Sequence, residues 1–220
     1  MMMASNDAEL LEQYNRDHSE EAFTALVHRH LDLVYSAALR QVRSRQLAEE
    51  VAQSVFLDLS RNAGRLKPGT ILSGWLYQVT RRSAIDVVRR ESRRQSREQL
   101  AVELNAMNDD PSIWKQIEPL LDEAMETLEA SERSAILLRF FENRSLREVG
   151  QILGTSEDAA QKRVSRALER LRHFFSGRGA TVGTTGLIVA LSANAVQSAP
   201  VGLGTAIATV SPRSRFAASA

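Results

Sequence analysis

The chain has 220 residues, a formal net charge of +1, 43% hydrophobic and 25% charged residues, a composition that excludes both a wholly disordered polymer and a polytopic membrane protein. It has no cysteine, so disulfide scaffolds, thiolate metal sites and cysteine nucleophiles are excluded and a reducing compartment is expected. The opening MMMASNDAELLEQYN is acidic and polar and lacks the basic and apolar regions of a secretion signal, which predicts a cytoplasmic location.

Residues 1–18 read as an N-terminal segment. Phe23, Leu26, Val27, Leu31, Val34, Tyr35, Ala38 and Leu39 then recur at offsets of three and four, the stripe of an amphipathic helix. Ala48, Val51, Ala52, Val55 and Leu59 make a second stripe, and Leu72, Trp75, Leu76 and Val79, continued by Ala84, Val87 and Val88, a third. Between them SRNAGRLKPGT (Ser60 to Thr70) carries Gly64 and Pro68-Gly69, which break the pattern and predict an exposed basic loop. Residues 19–97 thus read as one helical module. Arginines crowd its end, at 81, 82, 89, 90, 93, 94 and 97, and predict a cationic helix face.

The charge then reverses. Residues 98–116, containing Asn108 to Pro111 (NDDP), read as a flexible acidic linker. A second module, 117–176, opens with the stripe Ile117, Leu120, Leu121, Ala124 and Leu128, followed by AILLRFF (Ala135 to Phe141), apolar on most faces and expected to be buried. No alternating run predicts a strand. The expected fold is all-α: two small helical domains joined by the linker, with a Gly/Ala-rich extension at 177–220. From Gly179 to Pro212 that extension has no charged residue. Its most apolar portion, Gly186 to Val196, is about half of the ~20 residues needed to cross a bilayer, so a poorly ordered or loosely docked tail is expected and a membrane anchor is not favoured.

SLREVGQILGTSEDAAQKRVSRALERLR, Ser145 to Arg172, carries the most information and reads as a helix-turn-helix. Ser145 with Glu148, and Thr155 with Asp158, mark two helix starts. Leu146, Val149, Ile152 and Leu153 form the inward face of the first helix, Gly154 permits the turn, and Ala160, Val164, Ala167, Leu168 and Leu171 form the inward face of the second. Glu157, Gln161, Lys162, Ser165 and Arg166 are left to face outward, where a recognition helix meets the major groove. Glutamine suits adenine, and Lys and Arg suit guanine or phosphate.

On these residues the chain resembles a bacterial sigma factor of the compact, two-domain extracytoplasmic-function type. Ser19 to Leu39, Leu47 to Leu59 and Gly74 to Glu91 look like successive segments of the family's region 2, and Glu132 to Arg172 looks like its region 4. The resemblance implies that Glu49, Glu50, Gln53, Ser54 and Phe56 lie near the coiled coil of the RNA polymerase clamp. It implies that Arg81, Arg82, Asp86, Arg89 and Arg90 hold the minus 10 element and its opened strand, largely through phosphates. Asn62 would read a base flipped into the Ser60–Thr70 loop, with Arg61, Arg65 and Lys67 on phosphates. Gln161, Lys162, Ser165 and Arg166 would read the minus 35 element. The family often has Asp at Leu47, an acid at Ser54 and Asn at Arg82, which implies an altered polymerase contact and a phosphate contact at Arg82. Core RNA polymerase and promoter DNA are the implied partners, and an anti-sigma factor is left open.

An enzyme is the rival class. The four histidines, at 18, 28, 30 and 173, do not converge on one point in the sequence pattern, and His28 and His30 sit about 200° apart on a helix, so no metal or other cofactor is expected. No phosphate loop, nucleophile elbow or dinucleotide fingerprint is present. A helix-turn-helix regulator of another class is the second alternative, and two separate cationic modules count against it.

Overall fold

The computed structural model describes residues 6–98 and 113–209, with side chains of the fourth helix described as far as Glu91. Asn108 to Pro111 of the expected linker lie outside the described residues. Among those described there is no strand, so the all-α expectation holds. The elements are α1 (Asp7–Asp17), α2 (Glu20–Val42), α3 (Arg45–Asn62), α4 (Leu72–Glu98), α5 (Ile113–Glu126), α6 (Ala130–Ile136), α7 (Leu146–Ile152), α8 (Glu157–Gly177), α9 (Thr184–Asn194) and α10 (Leu203–Thr209).

The first module is built on α2, whose stripe buries Phe23, Leu26, Val27, Leu31 and Val34 against α3 and α4. Val51, Ala52, Val55, Phe56 and Leu59 of α3 and Leu72, Leu76 and Tyr77 of α4 complete the core. Each start is chemically marked: Ser19 accepts from the Ala22 amide and Ser44 from the Leu47 amide, satisfying N–H groups that a first turn leaves free. The N-terminal segment is not featureless. Asn6 and Glu9 form a capping box that starts α1, and Leu10 and Tyr14 bury against α2, with the Tyr14 and Phe23 rings 4.9 Å apart.

In the second module α6 runs into a π-helical turn, Leu137–Phe141, in which Leu137, Leu138, Phe140 and Phe141 are buried. That agrees with an apolar segment expected at the centre. Arg133 donates to the carbonyl oxygens of Met125, Glu126 and Leu128 at 2.8, 3.3 and 2.9 Å, satisfying the end of α5 from a neighbouring helix.

The extension departs from expectation. As far as Thr209 it is not a loose tail: α9 packs on α5 and α8, and α10 on α2 and α3, burying Leu187, Leu191, Leu203 and Ile207. Its helices lack a polar face, since Ile188 and Val189 remain exposed opposite the buried leucines, so no apolar stripe marked them in the sequence. None of the described helices is long and apolar enough to cross a membrane.

Candidate nucleic-acid and polymerase interface

The helix-turn-helix forms as α7 and α8. Ser145 and Glu148 close the expected capping box, with the Ser145 amide donating to Glu148 Oε2 at 2.9 Å and the Glu148 amide to Ser145 Oγ at 3.3 Å. The Ser145 hydroxyl, donating to Glu148 Oε2 at 2.7 Å, and then the Ser145 amide, with Arg144 nearby, hold the Glu148 carboxyl below its ordinary pKa. The second start needs a correction: Ser156, not Thr155, caps α8, its Oγ accepting from the Ala159 amide at 3.2 Å. The Thr155 amide instead donates to the Gly150 carbonyl at 2.8 Å and closes the turn.

Two glycines make that turn. Gly154 has φ +63°, the left-handed region where a Cβ is strained. Gly150 was missed in the sequence, and it matters for space: a Cβ there would lie 2.9 Å from the Thr155 carbonyl oxygen and 3.1 Å from Ser156 backbone atoms. A glycine four residues before the turn glycine was the available signal.

Ala160, Val164, Ala167, Leu168 and Leu171 turn inward as expected. Gln161, Lys162, Ser165 and Arg166 are all exposed on one face of α8, and Glu157 and Asp158 occupy its first turn. This face presents an amide, a hydroxyl and two cationic groups together, the chemistry of base-edge and phosphate recognition.

The first module's cationic face is graded along α4. Arg82, Asp86, Arg89 and Arg90 are exposed. Nearer the helix start the face is occupied by acids of α5: Arg81 lies 3.6 Å from Glu126, Gln78 donates to Glu126 Oε1 at 3.2 Å, and Tyr77 Oη donates to Asp122 at 2.6 Å. Tyr77 is fully buried, and burial together with the Asp122 charge pushes its phenol pKa well up. So the two modules meet through polar groups.

The expected basic loop is shorter than its sequence span. Ser60 is buried within α3 and Asn62 is that helix's last residue, donating from Nδ2 to the Asp58 carbonyl at 2.9 Å. Arg65 and Lys67 are exposed around Gly69, which has φ +79°. The side-chain oxygen of Asn62 is not committed to the Asp58 bond, and the residue borders the exposed loop.

Along α3, Glu50, Gln53 and Ser54 are exposed and Glu49 is half-buried. Phe56, at 0% exposure, belongs to the core, because it continues the Ala52, Val55 and Leu59 stripe, and it lies at the base of the cleft that Glu50, Gln53 and Ser54 line.

Two buried polar groups on α2 lie where the modules join. His30 is fully buried, with Nε2 2.9 Å from Asp7 and Nδ1 3.5 Å from Glu142. Burial raises the Asp7 pKa, but bonds and charge from His30 and Arg29 outweigh it and bring the carboxyl down to about 2. Arg40 is 4% exposed, with Nε 3.5 Å from Asp122 and its guanidinium carbon 5.3 Å from the Phe141 ring centre.

A helical protein carrying a helix-turn-helix with a free recognition face, and a second module with an arginine-rich helix, belongs to the class of DNA-binding transcription proteins. Family comparison makes this specific: the profile of Sigma-70 region 2 matches residues 26–94 and that of Sigma-70, region 4 matches 124–173. The chain is 36% identical to the RNA polymerase sigma factor CarQ of Myxococcus xanthus over 162 residues, covering 71% of this chain and 91% of that protein. It is 29% identical to the ECF RNA polymerase sigma factor SigE of Mycolicibacterium smegmatis over 164 residues, 69% of this chain and 60% of the relative. Among solved structures, CnrH in complex with the cytosolic domain of CnrY aligns with TM-score 0.40 and 20% identity, over 78% of this chain and 97% of CnrH. The sigma factor RpoE in complex with the anti-sigma factor NepR from Bartonella quintana aligns with TM-score 0.33 and 21% identity, over 69% of this chain and 92% of RpoE. The chain belongs to the extracytoplasmic-function sigma factors of the sigma-70 family. It is a promoter-directing initiation factor that works with core RNA polymerase.

Proposed function

We propose a division of labour among named residues, with 19–97 as the region 2 domain, 117–176 as the region 4 domain and 98–116 as the linker. Glu49, Glu50, Gln53 and Ser54 dock on polymerase. Arg81, Arg82, Asp86, Arg89 and Arg90 hold the minus 10 element, with Asn62, Arg65 and Lys67 beside the opened strand. Gln161, Lys162, Ser165 and Arg166 read the minus 35 element. The observation that carries this reading is the pairing, on one chain, of an exposed arginine row on α4 with an exposed mixed polar and cationic face on α8. Phosphate neutralisation by the first supplies affinity without sequence information, and base-edge chemistry on the second supplies choice.

The protein acts in the cytoplasm as a non-enzymatic factor, with core polymerase and promoter DNA as its partners and an anti-sigma factor as a further candidate. In vitro transcription with core polymerase over a promoter library tests the assignment. The purified chain directs initiation at a defined set of minus 35 and minus 10 sequences and binds the same DNA poorly without polymerase, since two weak contacts add only when held at fixed separation. Failure to form any complex with core polymerase overturns it.

A further inference from the structure

Three residues spaced by four along α2 face the extension and bond its backbone. Asp32 Oδ1 accepts from the Ala199 amide at 2.8 Å. Ser36 Oγ accepts from the Gln197 amide at 2.7 Å and donates to the Gln197 carbonyl at 3.0 Å. Arg40 Nη1 donates to the Ala195 carbonyl at 2.9 Å. Residues i, i+4 and i+8 share one helix face, so this is a polar ladder holding residues 195–199 against region 2.

The chain beyond the ladder reaches α3. α10 approaches α2 closely, its Gly204 so near His28 that a Cβ would lie 2.9 Å from the imidazole Cε1. It then inserts Ile207, which is 5% exposed. A cleft there is lined by Glu50, Gln53, Ser54 and Leu57 of α3 and by Ala206 and Ile207 of α10. Three of those α3 residues are ones assigned above to polymerase docking. Upstream of the ladder, α9 rests on α5 and α8, with Thr184 Oγ1 donating to Glu169 at 2.8 Å. One continuous segment therefore grips both modules.

We propose that residues 184–209 are an intramolecular clasp, which holds region 4 against region 2 and occupies part of the α3 surface that core polymerase uses, so that polymerase and the extension compete. This rests on the assignment of α3 made above. Closure also opposes promoter reading. Elements centred at minus 35 and minus 10 lie about 25 base steps apart, roughly 85 Å at ~3.4 Å per step, and contacts such as Tyr77 Oη to Asp122 at 2.6 Å tie the modules together. Opening would free the modules to adjust to that spacing. Apparent affinity for polymerase then equals the open-state affinity reduced by the fraction of molecules that are open.

The test uses the full-length chain and a binding titration with core polymerase. Leu203→Asp with Ile207→Asp places two charges in the α10 contact, and Ser36→Ala removes the central rung from the α2 side. The double variant binds core polymerase about fivefold or more tightly than the native chain, the scale of a typical coupling between sites, and Ser36→Ala shifts binding in the same direction. Val189→Asp, at a tail position 61% exposed, leaves affinity unchanged. Hydrogen exchange of the amides of Gln197 and Ala199 reports clasp release independently of polymerase, and retained protection of the amides of α2, α3 and α8 shows that the rest of the chain remains folded. Release with unchanged polymerase affinity in both variants overturns the clasp. Absence of polymerase binding by every chain, native and released, overturns the α3 assignment and the competition with it.

Discussion

The recognition face of α8 and the cationic face of α4 differ in what covers them. Gln161, Lys162, Ser165 and Arg166 stand exposed on a helix whose opposite side is fully packed. On α4 the row is open at Arg82, Asp86, Arg89 and Arg90, while Asp122 and Glu126 meet Tyr77, Gln78 and Arg81. The face proposed to read minus 35 is thus assembled within its own module, whereas the face proposed to hold minus 10 is partly engaged by acids of the other. A polar junction of this kind favours reversible separation, since its groups find water or DNA phosphate when the modules part.

The largest effect is expected at Arg40. Replacing it by Met leaves Asp122 in a low-dielectric junction without its cation, and uncompensated buried charges cost about 3 kcal/mol. Urea unfolding of Arg40→Met measures the loss, and Arg40→Met with Asp122→Leu recovers the part due to the unpaired charge but not the bonds of Arg40 to Ala195 and of Tyr77 to Asp122. If the single variant loses well under about 1 kcal/mol, the junction contributes little and the modules behave independently in solution.

Next comes Gly150→Ala, which perturbs the free face and leaves the covered one alone. A Cβ 2.9 Å from the Thr155 carbonyl oxygen forces α7 and α8 apart, and overpacking of this kind costs about 2 kcal/mol. Amide exchange in α8 accelerates while α2 to α4 keep their protection. Transcription from promoters dependent on minus 35 contacts falls with it. Uniform loss of protection across both modules would instead show that the two unfold as one unit.

Asp7→Asn probes the other buried junction group and carries a pH signature. The Asp7 carboxyl, ordinarily at 3.8, sits at about 2 in the folded chain, so ionisation favours the folded state. The contribution is fully present above about pH 4 and fades as pH falls toward 2, amounting to about 2 kcal/mol at neutral pH. Native and Asp7→Asn chains therefore differ by a constant amount from about pH 5 to 7 and converge only around pH 2, which urea titrations at several pH values will show. A difference that stays constant down to that pH would assign the effect to lost hydrogen bonds with His30 and Arg29 alone.

What the sequence disclosed follows the same division. The helix-turn-helix was legible because its determinants are local: Ser145 and Glu148 three residues apart, an apolar stripe, and a glycine at φ +63°. Even there the cap moved by one residue to Ser156, since Thr155 is spent on the Gly150 carbonyl. The α1 helix was also locally marked, by Asn6 and Glu9, yet an acidic terminus masked it. The junction and the clasp were not legible. Arg40 and Asp122 are distant in the chain, and α9 and α10 are stabilised by burial of Leu187, Leu191, Leu203 and Ile207 rather than by any polar and apolar alternation of their own. Phe56 shows the two readings together, a resemblance placing near the polymerase contact a side chain that its stripe places in the core beneath Gln53.

The smaller effects separate reading from holding. Gln161→Ala and Lys162→Ala change which bases are preferred in the minus 35 element, by about 1 kcal/mol or more per contacted base pair. Selection from a randomised promoter pool in the presence of core polymerase measures this, and an unchanged consensus would move recognition off α8. Arg89→Ala acts differently, because an arginine on a phosphate sees the same charge at every sequence. Its loss weakens the polymerase–promoter complex evenly across promoters and lowers the slope of log affinity against log salt by about one. Arg89 lies on the exposed half of α4, whereas Arg81 sits 3.6 Å from Glu126, so the two arginines should differ in the free chain and agree in the complex. Arg81→Ala removes an attraction that keeps the modules together as well as a phosphate contact, and the two losses oppose each other in binding. Its net effect on affinity is therefore smaller than that of Arg89→Ala, although the salt slope falls by the same amount. Equal affinity losses at both positions would show that the contact with Glu126 contributes nothing to closure.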